Sequence, residues 1–153
     1  MEKIMQHNDD IKNKIESIFN SLHIKYQILD FPDNDLNYTL QVSTIGKLKA
    51  LKSINCMLYL RRIDYSLNIM VANIYKIKES ENILDIYELL NDLNLKISSG
   101  NFMIYGDSTK QIIYKASVNC GNNFSELDSH LVKFHLVYFI SYLEELLDLL
   151  KNR

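Results

Sequence analysis

The sequence predicts an α+β domain: an antiparallel sheet with N-terminal, central and long C-terminal helices packed on it, in the order α-β-β-β-β-α-β-β-α. Three observations predict it. A stretch of helical period covers 125–150 without a Pro or Gly. Segments of period two come first as a run of four and later as a pair. Helical segments stand before, between and after them. With 153 residues, 47% apolar and 24% charged, the chain reads as a single domain, 1–153, long enough to bury a core.

The C-terminal stretch SELDSHLVKFHLVYFISYLEELLDLL has its own logic. Val132, Leu136, Phe139, Ile140, Leu143, Leu146, Leu147 and Leu150 fall on one stripe, with Lys133, Ser141, Glu144, Asp148 and Lys151 opposite. Ser125 and Asp128 read as a capping box at its start. A helix of this length runs about 39 Å. Leu127, Leu131, Tyr138, Tyr142 and Leu149 form a second apolar flank, so the apolar arc spans roughly 220°. One flank belongs on a sheet. The other needs a second helix, a second subunit or a ligand. Lys133, His135, Glu144, Glu145 and Asp148 exclude a membrane span.

The first helix is expected to be capped at Asn8, Asp9 or Asp10 and to bury Ile11, Ile15, Ile18, Phe19 and Leu22 before ending near His23. Ile24, Tyr26, Ile28 and Phe31 suggest a first strand, and Pro32-Asp33-Asn34-Asp35 a turn. Tyr38, Leu40 and Val42 alternate with Thr39, Gln41 and Ser43, a strand with one polar face. Lys47 to Asn55 is ambiguous between a loop and a helical turn. Cys56–Ile63 and Leu67–Ile77 are the third and fourth strands. The fourth is apolar on both sides: Leu67, Ile69 and Val71 one way, Met70, Ala72 and Ile74 the other. Such a strand is central and covered on both faces, the second cover being available from another subunit. Ser80 is the expected cap of a helix through Ile83, Ile86, Tyr87, Leu90 and Leu93 to about Leu95. Gly100 ends that unit. Phe102–Tyr105 and Ile112–Val118, joined at Gly106-Asp107-Ser108-Thr109, read as a hairpin.

Chemistry is sparse. His130 and His135 stand five apart, not at the i, i+4 spacing of paired metal ligands. Ser98-Ser99-Gly100 lacks the lysine of a phosphate loop, and no serine or cysteine sits in a nucleophile signature. Glu144, Glu145 and Asp148 read as a solvated acidic patch, and Lys47, Lys49, Lys52 and Arg61–Arg62 as solvated basic ones. The net charge of −2 gives no reason to expect nucleic acid. The expectation is therefore no enzyme, no cofactor and no metal. Cys56 and Cys120 stand alone, which fits two free thiols in a reducing cytoplasm, a single Cys56–Cys120 bridge being the less usual alternative. MEKIMQHNDD lacks the apolar core of a secretory signal, so a cytoplasmic location is expected. Ten tyrosines and no tryptophan direct attention to Tyr59, Tyr65, Tyr75, Tyr138 and Tyr142, since Tyr is common at interfaces.

Leu89-Leu90-Asn91-Asp92-Leu93-Asn94, then Gly100-Asn101-Phe102, then a hairpin and a long apolar helix form a recognisable succession. On these residues the stretch from Ile83 to Leu149 resembles the YbjN-like family of bacterial sensory transduction regulators. In element order it also resembles the type III secretion chaperones that share their fold. The resemblance implies a twisted antiparallel sheet with helices on one side, a homodimer, and a non-enzymatic domain that holds an extended partner segment on apolar patches. It brings no catalytic residues. The expected function is thus a chaperone-like or regulatory protein-binding domain with a protein partner. The candidate partner or dimer surface comprises Leu131, Tyr138, Tyr142 and Leu149 of the last helix with Tyr59, Leu67, Ile69 and Val71 of the strands. The alternatives are a carrier of a small apolar ligand, held between sheet and last helix, and a partner-specific inhibitor or immunity protein.

Overall fold

Asn8, Asp9 and Asp10 do not open the first helix. In the computed structural model, which describes residues 2–29, 35–43 and 53–153, helix α1 spans Glu2–Ser21 and carries them inside it. Each costs a helix interior roughly 0.7 kcal/mol or less against Ala, too little to start the helix there. Six strands follow in a single antiparallel sheet: β1 (Lys25–Leu29), β2 (Leu36–Ser43), β3 (Ser53–Arg61), β4 (Ser66–Lys76), β5 (Asn101–Tyr105) and β6 (Gln111–Asn119). Helix α2 (Ile83–Lys96) separates β4 from β5, and α3 (Ser129–Lys151) closes the chain. The element order is the α-β-β-β-β-α-β-β-α of the sequence reading. Residues 44–52 and 31–34, on which the ambiguous segment and most of the first turn fall, lie outside the described residues, and Ser53–Asn55 open β3.

The sheet runs β1-β2-β3-β4-β6-β5, so the chain leaves β4, crosses through α2 to the far edge, and returns beside β4 as β6. Register explains the two faces. Ile28, Tyr38, Leu58, Ile69 and Ala116 are cross-strand partners in one row, and Tyr26, Leu40 and Cys56 begin the next. These side chains point to the helices. Phe19 of α1 meets Tyr38 edge to face at 5.1 Å, and Phe139 of α3 lies 4.7 Å from Tyr114. Ile86, Leu90 and Leu93 of α2 join the same core. All three helices therefore lie on one side of the sheet.

The wide apolar arc of the last helix has an intramolecular explanation. Helix α3 lies between α1 and α2 and contacts both. It starts later than expected. Asp128, not Ser125, is the N-cap, its carboxylate accepting from the Leu131 N–H at 2.8 Å. Residues before it form a 3-10 turn (Asn122–Phe124), pinned by buried Phe124 and Leu127 and by the Glu126 N–H donating to Cys120 O at 2.7 Å. Likewise Asn82, not Ser80, caps α2. Glu81 is committed elsewhere, accepting from the Lys78 N–H at 2.7 Å and from Tyr75 Oη, which holds 78–81 as a turn.

Strand β4 is central, as its composition suggests, but it is not apolar throughout on both sides. Val71 faces Tyr114 and Tyr75 faces Ile112, so four steps on β4 match two on β6. In this bulge Asn73 takes φ +55° and donates its N–H to Gln111 Oε1 at 2.7 Å. The bulge returns Ile74 and Tyr75 to the core, breaking the alternation that had assigned Ile74 to the other face.

The junction of α2 and β5 is closed by one side chain. Asn94 Oδ1 accepts from the Phe102 N–H and Asn94 Nδ2 donates to Phe102 O, both at 2.8 Å. The amide thus does what a neighbouring strand would do for this edge. Gly100, at φ +74°, makes the approach possible: a Cβ there would sit 2.5 Å from Tyr114 Oη. These are the residues that carry the family resemblance. Replacing Asn94 by Ala is expected to cost about 1–3 kcal/mol, because two backbone groups lose their partners. It should also promote concentration-dependent association through the opened β5 edge. Urea midpoints and light scattering check both, and Asn94→Asp, which keeps only the acceptor, should fall between.

Candidate functional site

The side of the sheet away from the helices is built by alternation. Gln27, Thr39, Met57, Met70, Lys115 and Asn101 form a row across all six strands. Leu29, Asn37, Tyr59, Asn68 and Ser117 form the row beside it. Among the described residues no helix covers these rows. Asn37, Asn68 and Ser66 are nevertheless buried, packed between their neighbours. The Asn68 amide is held by Ser66 Oγ at 2.8 Å, and Ser66 Oγ donates to Asp64 at 2.6 Å. Arg61 closes this network on the Asp64 carboxylate and, with the Ser66 hydroxyl, holds its pKa down to about 2.

Where these rows meet β5 the face is indented. A cleft of about 480 Å³ is lined by Tyr59, Asn68, Met70, Asn101, Met103, Lys115 and Ser117. Its walls mix soft apolar side chains with amides, a hydroxyl and one ammonium. Such walls offer polar groups able to orient a bound group and flexible methionines able to adapt to one.

The sequence-expected surface residues separate into three groups. Tyr59 stands in this cleft. Leu67, Ile69 and Val71 lie at 1%, 2% and 3% exposure beneath the helices, because the more apolar side of β4 turns inward; they are core, although Ile69 also borders the cleft. Leu131, Tyr138 and Tyr142 are half-buried along α3, and Tyr142 Oη donates to Lys96 O of α2 at 3.1 Å. Leu149 is exposed, in a groove with Leu89, Leu93 and the acidic Asp85, Glu88 and Asp92 of α2. Tyr59 and the helix residues lie on opposite sides of the sheet. Phe134 was not on the sequence-expected surface. It is 47% exposed and stacks on Tyr138 with centroids 4.2 Å apart, extending the aromatic row Phe134–Tyr138–Tyr142. Its i, i+4, i+8 spacing was the available signal.

One pair has the distance of a nucleophile and its base. Ser99 Oγ lies 3.0 Å from His135 Nδ1, with Tyr114 Oη donating to Ser99 O at 2.9 Å. No carboxylate bonds the imidazole among the described residues, and burial lowers its pKa, favouring the neutral ring. The pair ties α3 to the α2–β5 junction. Cys56 and Cys120 are buried free thiols, the first pushed up to about 12 by burial and so a poor nucleophile. Among the described residues no group of three His, Cys, Asp or Glu side chains is placed to hold a metal, and no helix is long and apolar enough to cross a membrane.

Comparison of the chain with protein-family models, with curated proteins and with solved structures gave no match.

His135 makes stability depend on pH. Its folded pKa is lowered, whereas the unfolded chain binds the proton near about 6.5. The unfolded state therefore holds more protons below that value, so the contribution of the neutral ring is intact above it and is lost as pH falls through it. Urea unfolding between neutral pH and about pH 5.5 should show stability falling with pH, and His135→Gln should flatten that slope.

Proposed function

We propose that this chain is a non-enzymatic protein-binding domain, chaperone-like or regulatory, which holds a partner segment on the helix-free face of its sheet. The observation that carries the reading is the asymmetry of the sheet. One face is filled by three helices, while the other bears a cleft with Tyr59, Met70 and Met103 that no described element covers. A stable domain needs only one packed face of an antiparallel sheet, so the second is available for a partner.

Kinship with the YbjN-like and secretion-chaperone fold is part of the proposal. Its support is the α-β-β-β-β-α-β-β-α order and the Asn94–Phe102 clamp on the residues that carry the resemblance. Cytoplasmic location belongs to the same reading, supported by two unpaired thiols. A homodimer is proposed through the α3 row of Phe134, Tyr138 and Tyr142, which α2 leaves partly open.

Light scattering over a concentration range is expected to return a dimer mass, and Phe134→Glu with Tyr138→Glu a monomer of unchanged urea midpoint. Loss of native partner capture in Tyr59→Ser, with the dimer intact, is expected if the sheet face binds the partner. A wild-type monomer would remove the dimer from the proposal. Capture indifferent to Tyr59→Ser and Met57→Asp would remove the sheet face.

A further inference from the structure

Charge is divided in this fold in a way the net value conceals. None of the six strands contains an Asp or Glu. Their four charged residues are all cationic: Lys25, Arg61, Lys76 and Lys115. Register places all four on the helix-free face, where Lys25 partners Gln41, Arg61 partners Ser66, Lys76 partners Gln111, and Lys115 lies between Met70 and Asn101. With four of the 17 basic residues here and all 19 acidic residues off the strands, the rest of the sequence is net acidic by six. Arg61 is neutralised by Asp64, but Lys25, Lys76 and Lys115 have no described ion-pair partner.

We propose that the occupant of this face is an acidic protein segment that carries aliphatic side chains beside its carboxylates; this rests on the docking reading above. Lys115 supplies the anion contact. It is exposed, it lines the cleft, and Asn101, Asn68 and Ser117 around it are polar groups of the kind that orient a carboxylate. Met57 and Met70, direct cross-strand partners, and Met103 supply a deformable apolar floor for the neighbouring aliphatic side chains. Lys25 lies four strands from Lys115 along the sheet, about 19 Å at ~4.8 Å per strand, a span that a peptide of about six extended residues covers. Strands without carboxylates, beside an Asp64 carboxylate already paired with Arg61, also offer little repulsion to an acidic segment on approach, whereas the acidic helices disfavour one on the opposite side. An RNA strand is the competing polyanion. It is disfavoured by a floor of methionines in which Tyr59 is a single ring, too little for successive bases to stack on, and by the net acidity of the whole chain.

The test is selection of a random peptide library on the intact chain, followed by anisotropy titration of the retained peptides at two salt concentrations. Retained sequences should be enriched in Asp or Glu next to Leu, Ile or Met. Their affinity should fall by about tenfold in Lys115→Gln, recover in Lys115→Arg, and weaken with salt. Retention of uncharged peptides that ignore Lys115→Gln but are lost in Tyr59→Ser would overturn the acidic occupant and leave the docking face standing. Retention indifferent to Lys115, Tyr59 and Met57 alike would overturn the docking face itself. Tighter, Lys115-dependent binding of polyuridylate would replace the peptide with RNA. Urea midpoints of each variant guard against misfolding, and Lys115→Arg keeps the test decisive should Tyr59→Ser prove unstable.

Discussion

Phe139 lies against Tyr114, and Tyr114 against Phe102, with centroids 4.7 and 5.1 Å apart. All three rings are at most 1% exposed. Each removes about 150–250 Å² from water, on the order of 4–6 kcal/mol before the entropy of ordering it is counted. This stack fastens α3 across β6 and β5, and much else follows from it. With α3 in that place, α1 and α2 can bury their stripes only against its two flanks and the sheet beside it. A second aromatic group, Phe19 with Tyr26 and Tyr38, fastens α1 over the first two strands. Helices are thereby gathered on one face, and the other is left to the polar half of each strand's alternation.

In the proposed reading the helix-free face is where the chain meets a partner. Its polar groups are not loosely arranged. Ser66, Asn68 and Asp64 bond one another, and Asn119 Nδ2 donates to Asp64 O at 2.9 Å, so the floor beside the cleft is held in place before any partner arrives. Preorganisation of this kind lowers the ordering cost of association. The β5 edge, by contrast, is engaged by Asn94, which occupies the Phe102 backbone groups that strand addition there would use.

Much of this was legible beforehand, and where it was not, the reasons are particular. Period-two alternation located the strands to within a few residues, since half-buried strands advertise themselves. The caps were misplaced at Ser80 and Ser125 because Ser, Asn and Asp are all good caps, and only the commitment of Glu81 to Tyr75 and Lys78, or of Phe124 and Leu127 to the core, decides among them. Leu67, Ile69 and Val71 were expected at a surface because apolar side chains do not declare which cover they lie under. Tyr59 was singled out as an aromatic on a strand, but its cleft partners Asn68, Met70, Asn101, Met103, Lys115 and Ser117 come from β4, β5 and β6, and no local pattern joins them.

By itself the sequence determined the α+β class and the number and order of the helices and strands, because these depend on local periodicity and residue type alone. Tertiary structure decided which side of each strand meets the helices, that α1 and α2 flank α3, and that all four strand-borne cations share the face opposite the helices. Those outcomes depend on register and on the order β1-β2-β3-β4-β6-β5, which brings β6 between β4 and β5. Long-range pairing of that kind is a property of the packed sheet as a whole, where a shift of one residue would turn every side chain to the opposite face.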